Sequence, residues 1–150
     1  MIIAIIIGII LLLIDILFKT LSIKKFKIEE KKLLKEHIVF TYVENSGAMF
    51  GIFDRKPLLV KIISSICLIG IIALFIIFYQ YLNYFIIKLG FMILCAGAIS
   101  NVSDRIIRGH VIDFIYFKIG KRNTYVFNFG DFYIFIGIIL VIIGGIIYEW

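Results

Sequence analysis

Four apolar stretches, at about Met1–Leu21, Pro57–Tyr79, Tyr84–Ser100 and Phe132–Trp150, fix what this chain can fold into. A bilayer core of roughly 30 Å is crossed by about 20 residues of helix, and each stretch is close to that length. Lipid offers the backbone no hydrogen bonds, so such segments fold as helices that satisfy their own donors and acceptors. Little is left for a separate soluble unit: the chain has 150 residues, is 63% hydrophobic and has a mean hydropathy of +1.12. The expectation is a membrane all-α protein, a single integral-membrane domain over residues 1–150. Its four transmembrane helices fall at about 1–21, 57–79, 84–100 and 132–150, joined by polar segments at about 22–56 and 101–131. The first stretch is expected to stay as a helix. It lacks the basic start and small-residue cleavage site of a secretory signal, and Asp15 and Lys19 interrupt its end.

Four crossings bring the end of helix one, the start of two, the end of three and the start of four to one membrane face, with both long connections. Asp15, Lys19, Asn45, Asn101, Asp104, Arg105, Asp113, Asn128 and Asp131 therefore gather on one side. In the first connection, His37-Ile-Val-Phe-Thr-Tyr-Val43 is β-branched and aromatic and predicts a strand. It leads into Glu44-Asn-Ser-Gly-Ala-Met-Phe-Gly51, where Gly47 and Gly51 permit a tight turn. Ile52-Phe53 is expected to continue the pairing, and Pro57 suits the first turn of helix two. The short link from Tyr79 to Tyr84 makes helices two and three antiparallel neighbours. In the second connection, Phe114–Phe117 and Tyr125–Phe127 look strand-like around a Gly120–Asn123 turn.

The chemistry centres on Asp113 and Asp131. An ionisable group at a membrane boundary is costly and marks function by default. Two carboxylates sharing one proton can activate water against an amide. Structural roles stand beside that one: Asp131 as an acid at a helix N-terminus, Asp113 as a partner for Arg105 or Arg108. Asp15 and Lys19 have the i,i+4 spacing and order of a helical ion pair. Asp104-Arg105 follows helix three and suits fixing a loop, with Arg105 able to grip a carboxylate by two bonds. Asn45, Asn101 and Asn128 would each pass as a cap or turn residue; three on one face become candidates to bind substrate backbone. The serines lack a plausible His/Asp partner. Cys67 and Cys95 read as free thiols in apolar helices, His37 and His110 are isolated, and no metal site or cofactor is expected. The net charge of +6 suits anionic lipid headgroups, and no nucleic-acid motif accompanies it.

Read together and in order, the segments resemble a known family. They are Ile14-Asp15-Ile-Leu-Phe-Lys19, Asn45-Ser-Gly47-Ala-Met-Phe-Gly51, Gly97-Ala-Ile-Ser-Asn101-Val-Ser-Asp104-Arg105, Gly109-His-Val-Ile-Asp113-Phe114 and Phe127-Asn128-Phe-Gly-Asp131. This order is similar to that of lipoprotein signal peptidase, or signal peptidase II, over essentially the whole chain. The resemblance implies an intramembrane aspartic endopeptidase that cuts bacterial prolipoproteins before a diacylglyceryl-modified cysteine. It implies that Asp113 and Asp131 are catalytic, with Asn45, Gly47, Asn101, Asp104, Arg105, Asn128, Asp15 and Lys19 supporting the site. It also implies a small β-rich extracytoplasmic cradle between helices one and two, globomycin-like inhibitors, membrane lipid as a partner and a monomer. Four positions depart from the family's usual residues: Ile16 for Gln, Ser100 for Gly, and Met49 and Gly130 for Ala.

Orientation sets two expectations against each other. Thirteen of sixteen Lys/Arg lie in the long connections, eight in the first and five in the second. The positive-inside rule puts such segments in the cytoplasm. The resemblance puts them outside a bacterial cytoplasmic membrane, with both termini inside, and five ordered motifs outweigh a statistical bias. A small transporter or channel subunit would instead spread polar residues over several depths. An inactive scaffold would have no need of the aspartate pair.

Overall fold

The computed structural model describes residues 1–28, 31–33, 37–47, 53, 55–79, 84–118 and 125–148. Its helices are α1 (Ile2–Leu21), α2 (Pro57–Phe78), α3 (Phe85–Ile107) and α4 (Phe129–Ile147), and all four are long and apolar enough to cross a membrane. Their outward faces are almost entirely Ile, Leu and Phe, exposed as a lipid-facing surface requires. The central helix is α3, which packs against α1, α2 and α4. It can do so because Ala96, Gly97, Ala98 and Ser100 keep its middle thin.

The α3–α4 seam is the tightest. Gly130, Gly137 and Gly144 of α4 are spaced by seven and all buried. A methyl group added at Gly137 would lie 2.6 Å from the Leu94 amide nitrogen, and one at Gly97 would run into the Gly130 carbonyl. Backbone meets backbone here, so Asn101 on α3 and the start of α4 are held at fixed distance.

Two lengths differ from expectation. The third helix continues to Ile107, so Asp104 and Arg105 sit on its last turns rather than in a loop after it. Asp104 holds the extension by accepting from Arg108 Nε at 2.9 Å and the Ile112 amide at 3.3 Å. The fourth helix begins at Phe129, capped by Asn128.

A four-stranded antiparallel sheet covers the site-bearing end, in the order β1 (Lys31–Leu33), β2 (Ile38–Asn45), β3 (Val111–Phe117) and β4 (Val126–Phe127). The expected cradle between helices one and two is thus only half of it, since β3 and β4 come from the second connection. Asp113, one residue before the stretch read as strand-like, sits inside β3. Ile52 and the Gly120–Asn123 turn lie outside the described residues, as do Met49, Gly51, Trp150 and positions 80–83 of the short link. Phe53 forms a turn with φ of +63° instead of continuing a strand. A π-helical turn, Ser22–Phe26, joins α1 to the sheet, where buried Ser22 donates to the Thr41 carbonyl at 2.8 Å. Phe18, Phe114 and Phe129 interlock with ring centroids 4.9–5.8 Å apart, tying α1, β3 and α4 together.

Candidate active site

Register carries Asp113 into the site. Val43 pairs with Asp113 and Asn45 with Val111 across β2 and β3. Asn45 lies two residues from Val43, on the same sheet face as Asp113 and diagonal to it. Its Nδ2 donates to Asp113 Oδ2 at 2.8 Å, while its Oδ1 is occupied by the Gly47 amide at 3.0 Å.

Asp131 arrives from the other side. Asn128 and Asp131 form a capping box at the start of α4: the Asp131 amide donates to Asn128 Oδ1 at 3.0 Å and the Asn128 amide to Asp131 Oδ2 at 3.1 Å. The acid-at-the-N-terminus reading of Asp131 is therefore correct, and it does not use up the residue. With Oδ1 committed, Asn128 turns Nδ2 to Asp113 Oδ1 at 2.6 Å. One asparagine thus touches both carboxylates. Asp113 pairs with these amides and not with Arg105 or Arg108. Burial, then the neighbouring Asp131 charge, pushes its pKa up to about 7 against the two amide bonds and Lys19.

Behind Asp131 lies a fully buried polar cluster. Lys19 Nζ sits 2.9 Å from Asp15 Oδ2, 3.2 Å from Asp104 Oδ2, 2.9 Å from Ser100 Oγ and 2.8 Å from Asn101 Oδ1. Asn101 then donates from Nδ2 to Asp131 Oδ1 at 2.9 Å. The i,i+4 pair read from the sequence is present, with a second acid and two neutral oxygens added. Such satisfaction is what makes a buried charge tolerable. Asp15 Oδ1 also accepts from the Gly130 amide at 3.1 Å.

Ser100 corrects the expectation that no serine has a plausible partner. Its hydroxyl contacts Lys19 and donates to Asp15 Oδ2 at 2.5 Å. A Ser–Lys pair can be hydrolytic, but here the serine proton is given to a carboxylate and the lysine is bound by two acids. The pair is also 2% exposed, beyond reach of substrate. In the sequence its one signal was a polar residue on the same helical face as Asp104.

Arg105 does not hold a carboxylate. It donates to the Gly47 carbonyl at 2.9 Å and the Asn101 carbonyl at 3.4 Å, fixing the turn after β2. Its Nε is buried and has no partner among the described residues. Beside it opens an apolar groove of about 370 Å³ between α2 and the α3–α4 pair, lined by Val60, Ile63, Cys67 and Leu94 among others. Asn101, Arg105 and Asp131 stand at its polar end. No group of three or more His, Cys, Asp or Glu fit to hold a metal occurs among the described residues. Cys67 and Cys95 are free.

A family model described as signal peptidase (SPase) II matches residues 6–147. The lipoprotein signal peptidase of Clostridium tetani is 36% identical over 95% of this chain and 89% of its own length. That of Wigglesworthia glossinidia brevipalpis is 36% identical over 87% and 85%. Two bacterial membrane enzyme structures determined by the in meso method superpose with TM-scores of 0.77 and 0.75. Each is 28% identical and covers 94% of this chain, and 85% and 90% of their own.

Proposed function

Because this chain belongs to the signal peptidase II family, whose members are membrane proteases, we propose that it is an intramembrane aspartic endopeptidase of bacterial prolipoproteins. The bond cut is the one before the diacylglyceryl-modified cysteine. The observation that carries this reading is the joint hold of Asn128 on Asp113 and Asp131. A buried carboxylate and a half-buried one held by the same asparagine favour a state with one proton between them.

Asp113, whose two amide donors are anchored only by backbone N–H groups, is the better holder of that proton. Asp131, accepting from a backbone amide and from Asn101, is the better base. It takes a proton from water, whose oxygen bonds to the scissile carbonyl carbon. Asp113 gives its proton to the carbonyl oxygen. Collapse of the tetrahedral species breaks the C–N bond: the proton gathered by Asp131 passes to the leaving amine, and one hydroxyl proton returns to Asp113 as the carboxyl C=O forms. The products are a signal-peptide carboxylate and the free amine of the lipidated cysteine.

The groove suits acyl chains entering sideways from lipid, with the scissile bond drawn up to its polar end. The sheet lies on the extracytoplasmic face, both termini lie in the cytoplasm, and the enzyme acts as a monomer. The test is cleavage of a diacylglyceryl-modified lipobox peptide by the reconstituted protein. Asp113→Asn and Asp131→Asn should each reduce turnover by several orders of magnitude, with the double variant little worse than either single one. Turnover surviving in a folded single variant refutes the dyad.

A further inference from the structure

Ser100 and Lys19 are each 2% exposed, and neither lines the groove. Their position makes them more than a helix staple. An ammonium only donates hydrogen bonds, so the Asn101 oxygen facing Lys19 at 2.8 Å is committed, and the amide must turn its N–H to Asp131. Ser100 accepts from Lys19 and donates to Asp15, so its hydroxyl braces both members of the ion pair. The charged groups facing Asp131 are Asp15 and Lys19 from α1, Arg105 from α3 and Asp113 from β3, with Asp104 behind them on Lys19 and Tyr133 of α4 beside Asp15. Among the described residues, the one titratable side chain α2 brings to the groove is Cys67. Of the two cations, Arg105 donates to backbone carbonyls. Lys19 is the one joined to Asp131 through a hydrogen-bonded amide.

We propose that Lys19, braced by Ser100, fixes the direction of the Asn101 amide and through it favours the ionised form of the Asp131 carboxylate, so that both act as positioning residues of the dyad. The proposal rests on the dyad reading above. It also gives Ser100, a departure from the family's usual glycine, a task in this chain.

The experiment uses the full-length protein in nanodiscs and two readouts. One is the pH profile of kcat on a diacylglyceryl-modified lipobox peptide. The other is the infrared carboxylic-acid band that disappears in Asp131→Asn, followed against pH without turnover. Lys19→Met should move the acidic limb and the band's titration to higher pH by about one unit, because an attractive charge and an aligned donor both favour the ionised form. Ser100→Ala should move both in the same direction by less, with kcat falling more than KM changes. Should Lys19→Met fail to fold, Asp15→Asn/Lys19→Met removes the ammonium together with one counter-charge and should show a smaller shift of the same sign. Bands and limbs that superimpose on those of the parent protein in the folded variants overturn the proposal. Cleavage surviving in Asp131→Asn would instead overturn the dyad, whatever Lys19 does.

Discussion

Asp113→Asn should make the protein more stable at pH 8 while destroying its activity. Folding holds the Asp113 carboxyl at a pKa of about 7 against a usual 3.8. The folded state therefore binds the proton more tightly than the unfolded one. The stability this lends is fully present below about 3.8 and is lost as pH rises through about 7. The span corresponds to roughly 4 kcal/mol. Asparagine does not titrate, so the variant escapes that loss. It meets another: both Asp113 oxygens accept from amide donors, Asn45 and Asn128, and asparagine offers one oxygen and one opposing NH₂. A mismatched buried donor costs about 1–3 kcal/mol. The variant should thus be about 1–3 kcal/mol more stable at pH 8 and equal or less stable near pH 4. Unfolding in mixed micelles at several pH values measures the difference. Parallel curves for variant and parent, with no divergence between pH 4 and 8, would show that Asp113 is not held protonated by the fold.

Gly97→Ala should cost about 1–3 kcal/mol or more, because its methyl would meet the Gly130 backbone. Gly70→Ala on α2, with nothing within 4 Å, should stay within about 0.5 kcal/mol; thermal shifts compare the two. A cysteine at Lys31, in a background without Cys67 and Cys95, should react with an impermeant thiol reagent added outside cells; labelling only after lysis would reverse the proposed orientation. Globomycin-like cyclic peptides should block cleavage and metal chelators should not; activity lost to a chelator and restored by zinc would mean the wrong catalytic class.

What the sequence made legible follows from the physics that writes it. The spans were plain because lipid demands long apolar helices. The Asp15–Lys19 pair and the strand-like stretches His37–Val43, Phe114–Phe117 and Tyr125–Phe127 were visible because spacing and β-branching are local, whereas the start of β3 that carries Asp113 was not. β1 was not visible: Lys31–Leu33 has no alternation, and it is a strand because β2 offers it an edge. The overrun of α3 to Ile107 was hidden too, since Asp104 and Arg105 look like loop residues until their charges find partners. Arg105 was expected to seek a carboxylate and instead took carbonyls, a preference decided by which backbone the sheet brings near. The direction of the three asparagine amides is a property of the assembled network, not of any motif.

The charges at this membrane edge also bear on the proton count of the dyad. Lys19, Arg105 and Arg108 bring three positive charges, and Asp15 and Asp104 bring two negative ones. With both dyad carboxylates ionised, the set would carry one net negative charge, with only Arg108 of its members out in solvent. With both protonated, it would carry one net positive charge. One proton on the pair makes it neutral, the state that burial favours. The hydrogen bonds then divide the pair unequally. Asp131 accepts from a backbone amide and from an amide aligned by Lys19, whereas Asp113 accepts from two side-chain amides anchored by neutral backbone N–H groups. These hydrogen bonds favour the ionised form more at Asp131 than at Asp113, which is the division the proposed mechanism uses. Under the proposed mechanism, attack by water on the scissile amide starts from that division of the proton.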